Sequence, residues 1–337
     1  MLEKPDLQDE KIVDCLQKAY GLKIGGVSFL PLGADVNTAV YRITTPDGTP
    51  YFLKLRSGDF EKTSILLPKF LSDQGIGQVI APLTTKTGDL WSGLDRFTAV
   101  LYPFVAGQDA YDREMQPHHW QAFGKTLRQI HSVTLPPALA QALPRESFTG
   151  QWRDFVKSTL SWLENAQFDD PVMAETAVVL KKEEAVILDL VGRAERLAQL
   201  AQTRSLEFVV CHADIHAGNI LLTPEDAFYI VDWDTLLLAP KERDLMYLGA
   251  GLLGDWLSPR EEEACFYAAY GQTPIDFDLL AYYRYERIVQ DIASFGEELL
   301  TPGGSRIDRE QSLHYLKSNF LPNSTIALAY QSDKTTA

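Results

Sequence analysis

Short apolar runs separated by turn residues dominate the first hundred residues, which is the pattern of a β-sheet. A hairpin turn is indicated by Pro-Asp-Gly at 46–48. One helical pattern covers 61–73, and Pro68 is expected to shorten or kink its first part. The predicted strands cover 26–30, 39–43, 51–55 and 97–102.

The spacing of apolar residues changes to a helical one after Gly107. Over 117–132, for example, Trp120, Phe123 and Leu127 share one face. Further helices are predicted over 151–165 and 172–202 and in most of the chain from Arg243, and short strands over 208–211, 220–222 and 229–231. The pattern therefore predicts an α+β fold. Its parts are a β-rich N-terminal lobe (1–105), a hinge at about 103–107 and a mainly helical C-terminal lobe (106–337).

Composition is that of an ordinary globular protein, with 337 residues, 45% hydrophobic and 23% charged. No apolar run approaches the roughly 18 residues needed to cross a bilayer. The N-terminus is acidic and has no apolar core, so no signal peptide is expected. The three cysteines are widely spaced and odd in number, which favours reduced thiols and a cytoplasmic protein.

Charge is strongly negative and unevenly distributed. The formal net charge of -15 argues against nucleic acid and anionic membranes as partners. Residues 1–105 hold 11 Lys and Arg against 12 Asp and Glu, whereas residues 106–337 hold 20 against 34. The acidity of the second part indicates either a solvated, soluble surface or attraction of a cationic small molecule. The oligomeric state is left open, with a monomer favoured.

The densest polar cluster is H-A-D-I-H-A-G-N at 212–219, which lies between two apolar runs, and V-D-W-D follows at 231–234. Asp214 and Asn219 are five residues apart, and Asp232 follows Asn219 by thirteen. Phosphoryl transfer from ATP needs a carboxylate near the acceptor hydroxyl, and an amide oxygen and a second carboxylate to hold Mg²⁺ on the phosphates. These residue types occur here in that order, as in H-x-D-x-x-x-x-N…D of protein kinases.

The N-terminal lobe offers the other half of such a site. Lys54 lies in the strand that returns from the hairpin, where a phosphate-binding lysine is expected. A turn with a single glycine, Gly33, joins the first two strands and includes Asn37 and Thr38, whose backbone N–H groups could cover phosphates. Protein kinases have three glycines at this turn. There is also no A-P-E segment, which speaks against a protein substrate.

These motifs resemble the aminoglycoside phosphotransferase family, which has a bilobal protein-kinase-like fold. C-H-A-D-I-H-A-G-N-I-L (211–221) resembles its catalytic loop, and I-V-D-W-D (230–234) takes the place of the D-F-G segment of protein kinases. Within the family, L-A-P-K-E-R-D-L-M (238–246) and Y-Y-R-Y-E-R-I-V-Q-D-I-A (282–293) are most similar to spectinomycin phosphotransferases. The resemblance runs from about residue 30 to residue 292 and implies an ATP- and Mg²⁺-dependent kinase that confers antibiotic resistance.

Residue roles follow from this resemblance. It implies that Asp214 accepts or orients the proton of the acceptor hydroxyl, that Asn219 and Asp232 bind Mg²⁺, and that Lys54 contacts the α- and β-phosphates. Glu61 is the nearest candidate for the acidic partner of Lys54. Adenine is expected against backbone groups of the hinge, at Tyr102, Pro103, Phe104 and Val105.

A hydroxyl acceptor that carries ammonium groups would suit the acidic lobe, because carboxylates could hold its amines. Arg284 and Arg287 are expected to pair with acidic residues of their own segment. The candidate acceptor-binding residues are Asp109, Trp233, Asp234, Tyr282, Glu286 and Asp291.

Three alternatives stay open. Choline, homoserine, methylthioribose and fructosamine kinases share the loop pattern, so the acceptor could be a metabolite. His212, Asp214, His216 and Asp232 could instead form a metal-hydrolase cluster, but that would leave Lys54 without a role. The chain could also bind nucleotide without catalysis, although its intact polar set argues against this.

Overall fold

The computed structural model describes residues 4–32, 37–58, 60–254, 256–303, 305–322 and 324–333. No helix among these residues is long and apolar enough to cross a membrane. The strands are β1 (Gly26–Leu30), β2 (Thr38–Thr44), β3 (Pro50–Ser57), β4 (Ser92–Leu94), β5 (Phe97–Pro103), β6 (Gln108–Asp109), β7 (Val209–Cys211), β8 (Ile220–Leu222), β9 (Phe228–Ile230) and β10 (Leu237–Ala239).

The helices account for most of the second half of the chain. They are α1 (Asp9–Tyr20), α2 (Thr63–Asp73), α3 (Pro117–His131), α4 (Pro137–Ala142), α5 (Gln151–Leu163), α6 (Pro171–Lys182), α7 (Glu184–Gln202), α8 (Glu242–Leu245), α9 (Pro259–Tyr270), α10 (Phe277–Leu300), α11 (Arg306–Ser318) and α12 (Thr325–Ser332). One helical prediction needs correction. The helix predicted over 172–202 is two helices, α6 and α7, which meet at Glu183, where neither Gly nor Pro marks the break. Pro68 lies inside α2, which nevertheless runs unbroken to Asp73.

The described chain forms two compact units. The first comprises Met1–Met115, Thr134–Leu143 and Gly218–Leu236, and the second comprises Gln116–Val133, Pro144–Ala217 and Leu237–Ala337. The segment 218–236 thus belongs with the N-terminal sheet, although helical segments precede it in sequence. Assigning nucleotide binding to residues 1–105 and acceptor binding to 106–337 stays a prediction.

The first unit is built on an antiparallel sheet in the order β1-β2-β3-β5-β4. Alternate residues of β3, Leu53 and Leu55, are fully buried in a core that Ile12 and Leu16 of α1 complete. Because side chains alternate along a strand, Lys54 projects from the opposite face.

A second, three-stranded sheet in this unit has the order β6-β8-β9. Its β9 strand is fixed to the chain that follows α2, since the Ile230 N–H donates to the carbonyl of Gln78 at 2.9 Å and Ile230 forms a bridge with Val79. The V-D-W-D segment therefore leaves β9 at a defined place in the first unit.

The second unit is organised around α10, which packs against α5, α6, α7, α8, α11 and α12. Helices α3 and α9 pack closely at Gly124, where a Cβ atom would lie 2.4 Å from the Phe266 carbonyl oxygen. The short pair β7 and β10 is antiparallel, and β7 leads directly into the loop that contains Asp214.

Candidate active site

Lys54 is the centre of an ion-pair cluster in the first unit, which we call the lysine cluster (Lys54, Arg56, Asp232 and Asp234). Its ammonium nitrogen lies 3.2 Å from Asp232 Oδ1 and 2.7 Å from Asp234 Oδ2. The guanidinium of Arg56, two residues along β3, also donates to Asp234. Burial alone would raise the pKa of the Asp234 carboxyl, but Lys54 and Arg56 outweigh it and hold that pKa below its usual value.

The turn after β9 presents these two carboxylates. Asp232 has a φ of 60°, in the left-handed region that aspartate tolerates better than most residues. Trp233 is buried, and its indole N–H donates to the Ile230 carbonyl at 3.2 Å. Trp233, which was a candidate for acceptor binding, therefore fixes the V-D-W-D segment to the end of β9. This is a structural role.

Asp232 and Asn219 are suited to a divalent cation. The Asp232 side chain is 53% exposed, although it contacts Lys54. Asn219 ends a 3₁₀ turn (Ala217–Asn219). Its backbone carbonyl accepts a hydrogen bond at 3.0 Å from the N–H of Val231, the residue before Asp232. Carboxylate and amide oxygens are the donors that Mg²⁺ prefers, so the residues present fit this ion.

Other predicted nucleotide-site residues lie on the same sheet or beside it. Thr38 begins β2, and the carbonyl of Asn37 accepts the Ser57 N–H at 2.9 Å. Gly33 lies outside the described residues. Glu61 is exposed ahead of α2. In the described part of the chain the ion pairs of Lys54 are those to Asp232 and Asp234, so Glu61 is not its partner.

The predicted hinge begins at the end of β5. Tyr102 packs edge-on against Phe52, with ring centroids 6.4 Å apart, and Pro103 is the last residue of the strand. The Phe104 ring lies under the Arg42 guanidinium at 4.8 Å, and Val105 follows outside any strand. Burial raises the pKa of the Tyr102 hydroxyl, so it stays protonated at neutral pH.

Asp214 is held in a second cluster, within the second unit, which we call the aspartate cluster (Asp214, Tyr247, Arg287 and Asp291). Arg287 of α10 donates to Asp214 Oδ1, and the Tyr247 hydroxyl lies 3.1 Å from the same oxygen. On the other side, Asp214 Oδ2 lies 3.7 Å from Nε2 of His216. Burial alone would raise the pKa of Asp214, but Arg287 and His216 outweigh it and lower that pKa.

The loop around Asp214 is shaped by a buried carboxylate, Asp244. Its oxygens accept the N–H groups of His212 at 3.1 Å and of Ala213 at 2.7 Å, and they lie 3.0 Å from His131 Nε2. Ala213 adopts a φ of 69°, a conformation that costs a non-glycine residue about 1–3 kcal/mol. The bonds to Asp244 hold the loop in this conformation.

His212 supports the loop that contains Asp214. Its ring is fully buried, and Nδ1 accepts the N–H of Asp214 at 3.3 Å. This contact links the histidine to the backbone of Asp214.

Four of the acceptor-binding candidates are engaged in structural contacts. The Asp109 carboxylate accepts the N–H of Tyr111 at 2.9 Å and thus closes a local turn. Tyr282 is buried against the Phe148 ring. Glu286 is buried beside Arg153, with 3.0 Å between Oε2 and Nε, and Asp291 pairs with Arg287 at 2.9 Å.

One arginine pairing differs from expectation, and a second arginine has a partner that was not expected. Arg284 donates to the backbone carbonyls of Met246 and Leu248 instead of pairing with a carboxylate of its own helix. Arg287 pairs with Asp291 as expected and also reaches Asp214. Asp244 and Arg56 are further site residues that sequence reasoning missed. The only signal for Asp244 was its place in the 238–246 segment, and the signal for Arg56 was its two-residue spacing from Lys54.

Comparison with known proteins supports the kinase interpretation of both clusters. The sequence profile of the phosphotransferase enzyme family matches residues 28–284. The structure of spectinomycin phosphotransferase APH(9)-Ia with ADP and spectinomycin is 34% identical, covers 98% of this chain and 99% of its own, and has a TM-score of 0.90. The AMP-bound complex of APH(9)-Ia is 33% identical, covers 96% of this chain and 99% of its own, and has a TM-score of 0.86.

A more distant relative is protein StrN of Streptomyces griseus. It is 25% identical over 232 residues, which are 66% of this chain and 69% of its own. The similarity to APH(9)-Ia covers nearly the whole chain. The predicted α+β, protein-kinase-like fold is confirmed.

Proposed function

The chain belongs to the phosphotransferase enzyme family, and on that premise we propose that it transfers the γ-phosphoryl group of ATP to a hydroxyl of spectinomycin or a closely similar cationic aminocyclitol. The observation that carries the acceptor is the 34% identity to a spectinomycin phosphotransferase over 98% of this chain. Such a reaction would inactivate the antibiotic and confer resistance.

Asp214 acts as the general base in this proposal. The acceptor oxygen forms a bond to the γ-phosphorus, and the bond between that phosphorus and the β–γ bridging oxygen breaks with its electron pair left on ADP. The hydroxyl proton goes to the Asp214 carboxylate, which its lowered pKa keeps ionised at neutral pH. Positioning and electrostatics supply most of the catalysis in such reactions.

The lysine cluster would bind the phosphates. Lys54 exchanges its contacts with Asp232 and Asp234 for the α- and β-phosphates of ATP. Asp232 and Asn219 would hold Mg²⁺, which supplies charge neutralisation on the phosphate oxygens. Arg56 stays on Asp234 and keeps that carboxylate in place while Lys54 changes partners.

Acceptor recognition is proposed to depend on the negative charge of residues 106–337, 20 basic against 34 acidic side chains. A dicationic aminocyclitol is attracted by such a field. Glu286 and Asp291 are not its direct ligands in this proposal, because each is paired with an arginine inside the second unit.

The test is phosphate transfer from γ-labelled ATP to a panel of acceptors. The panel contains spectinomycin, trisaccharide aminoglycosides, choline, homoserine, methylthioribose and fructosamine, and mass spectrometry identifies each phosphorylated product. We expect labelling of spectinomycin, poor labelling of the trisaccharides, and no labelling with the Asp214→Asn variant.

Two results would contradict parts of this proposal. Labelling of a metabolite and not of spectinomycin would refute the acceptor while leaving the kinase chemistry in place. Activity that requires zinc and not Mg²⁺ and ATP would refute the kinase chemistry itself and favour a metal hydrolase.

A further inference from the structure

We propose that Arg287 is a positioning residue that orients the Asp214 carboxylate and is itself held in place by Asp291. The inference rests on the proposed function, in which Asp214 takes the acceptor proton. It adds an arginine of α10, far along the chain from the catalytic loop, to the residues on which that step depends.

The contacts of Arg287 fix one oxygen of the carboxylate. Its Nη1 donates to Asp214 Oδ1 and also to the Tyr247 hydroxyl at 3.0 Å. That hydroxyl lies 3.0 Å from the Ala213 carbonyl and 3.1 Å from Asp214 Oδ1, and it can donate to one of them at a time. Asp214 Oδ1 is therefore the oxygen that orients the carboxylate, and Oδ2 lies on the side of His216.

Arg287 is anchored from its own helix. Its Nε donates to Asp291 Oδ1 at 2.9 Å, four residues along α10, a spacing that puts both side chains on the same face. The side chains of Arg287 and Asp291 are 20% and 29% exposed. Nε of Arg287 thus donates to Asp291, while Nη1 donates to Asp214. A lysine has a single nitrogen and cannot reproduce this planar two-sided contact.

The charge of Arg287 acts on the same carboxylate. The charged and titratable groups around Asp214 include Arg287, Tyr247, His216, His212 and Asp291, and Asp291 also acts on Arg287. Burial would raise the pKa of Asp214, and Arg287 is the largest of the opposing influences. Without the guanidinium, the base would be protonated at a higher pH, and Oδ1 would lose its charged hydrogen bond.

Kinetics of Arg287→Gln and Arg287→Lys against the parent test these two effects separately. With the acceptor found by the panel, we expect Arg287→Gln to lower kcat by about 10–100-fold through misplacement of the base and to move the acidic limb of the pH–kcat profile to higher pH. Arg287→Lys keeps the charge and should restore the position of that limb while recovering only part of kcat. Asp291→Asn should lower kcat less than Arg287→Gln.

Arg309→Gln is the matched control. Arg309 is another arginine of the second unit that pairs with a carboxylate, Asp170 at 3.0 Å; it is buried, and it makes no contact with the aspartate cluster among the described residues. We expect this variant to lower Tm and to leave the pH–kcat profile unchanged.

A readout without turnover separates this inference from the proposed function. The Asp214 carboxyl is labelled with ¹³C, and its signal is assigned by its loss in Asp214→Asn. We expect it to titrate at higher pH in Arg287→Gln than in the parent, whatever the acceptor. Titration at the same pH in Arg287→Gln and parent, or an unmoved acidic limb, would overturn the inference. If Arg287→Gln has a greatly lowered Tm, the kinetics of Arg287→Lys and Asp291→Asn test the inference in its place. A lowered kcat in both variants supports the inference, and a kcat equal to that of the parent in both overturns it.

Discussion

The lysine cluster and the aspartate cluster each combine two carboxylates with cationic side chains, Lys54 and Arg56 in the first and Arg287 in the second, yet they differ in how freely their partners can be exchanged. In the lysine cluster, Lys54 is shared between two carboxylates, and the Asp232 side chain is 53% exposed. In the aspartate cluster, Arg287 is clamped between Asp214 and Asp291, and the exposed fractions of these three side chains lie between 20% and 29%.

The difference follows from the type of cationic side chain in each cluster and from the exposure of its partners. Lys54 is a flexible side chain with one charged nitrogen, and an exposed carboxylate can leave it at little cost because water replaces the contact. Breaking the contacts of Arg287, which are partly shielded from water, would leave its partners poorly compensated, which costs more than breaking a pair at an exposed carboxylate. The lysine cluster is thus suited to exchange carboxylates for phosphates and metal, and the aspartate cluster is suited to hold one carboxylate ionised and oriented.

The largest expected effect comes from removing the base of the aspartate cluster. Asp214→Asn keeps the shape of the side chain but cannot take a proton, so kcat should fall by about 10²–10⁴-fold. The measurement is the initial rate of acceptor phosphorylation at saturating ATP. A kcat close to that of the parent would mean that Asp214 is not the base.

Removing the charge of Lys54 from the lysine cluster should have a smaller effect, mainly on the binding of ATP. Lys54→Met keeps the length of the side chain and loses its charged hydrogen bonds to phosphate, so KM for ATP should rise about 10–100-fold. Lys69→Met is the control, because among the described residues the partner of Lys69 is Asp73 of its own helix. An unchanged KM in Lys54→Met would place the phosphates elsewhere.

Glu286 allows a test of burial in the second unit. Burial raises its pKa to about 7, against a usual value of 4.5, despite the nearby Arg153. Between these values the folded chain binds more protons than the unfolded one, so the contribution of Glu286 to stability is complete below pH 4.5 and falls as the pH rises to 7. Relative to Glu286→Gln, the parent should lose roughly 1–3 kcal/mol of unfolding free energy across this window.

Urea unfolding of both proteins at pH 5 and pH 7.5 measures this change. Taking the difference between parent and variant cancels the other titrating groups. A difference that does not change with pH would show that Glu286 titrates normally and is solvated.

The smallest expected effect is that of salt on acceptor capture. If the negative charge of residues 106–337 attracts a dication, kcat/KM for the acceptor should fall as ionic strength rises, because the Debye length shrinks from about 30 Å at 0.01 M to about 10 Å at 0.1 M. The control is a neutral acceptor analogue, whose kcat/KM should stay constant. Equal salt dependence for both acceptors would exclude electrostatic attraction as the cause.

Local pattern was enough to predict much of the first unit. The alternation of Leu53 and Leu55 with Lys54 predicts a strand with one apolar face, and the lysine lies on the other face of β3. The catalytic loop could also be predicted from the sequence, because the spacing of Asp214 and Asn219 is itself the motif. These features depend on neighbours in sequence, which periodicity detects.

Partners that are distant in sequence could not be predicted. Arg287 lies 73 residues from Asp214, and Asp244 lies 31 residues from the Ala213 N–H that it accepts. Both depend on how α8 and α10 pack, which no local pattern encodes. Glu286 and Asp291 were predicted as acceptor ligands because charge alone does not show that each has an arginine partner.

The central claim is that the lysine cluster binds the nucleotide with its metal while Asp214 acts only in the transfer. Calorimetric titration of ATP into the parent, Asp232→Asn and Asp214→Asn, each with and without Mg²⁺, tests it most directly. We predict that Mg²⁺ strengthens ATP binding to the parent and to Asp214→Asn alike, and that Asp232→Asn loses most of this enhancement. The claim would be contradicted by equal enhancement in Asp232→Asn and parent, or by loss of ATP binding in Asp214→Asn.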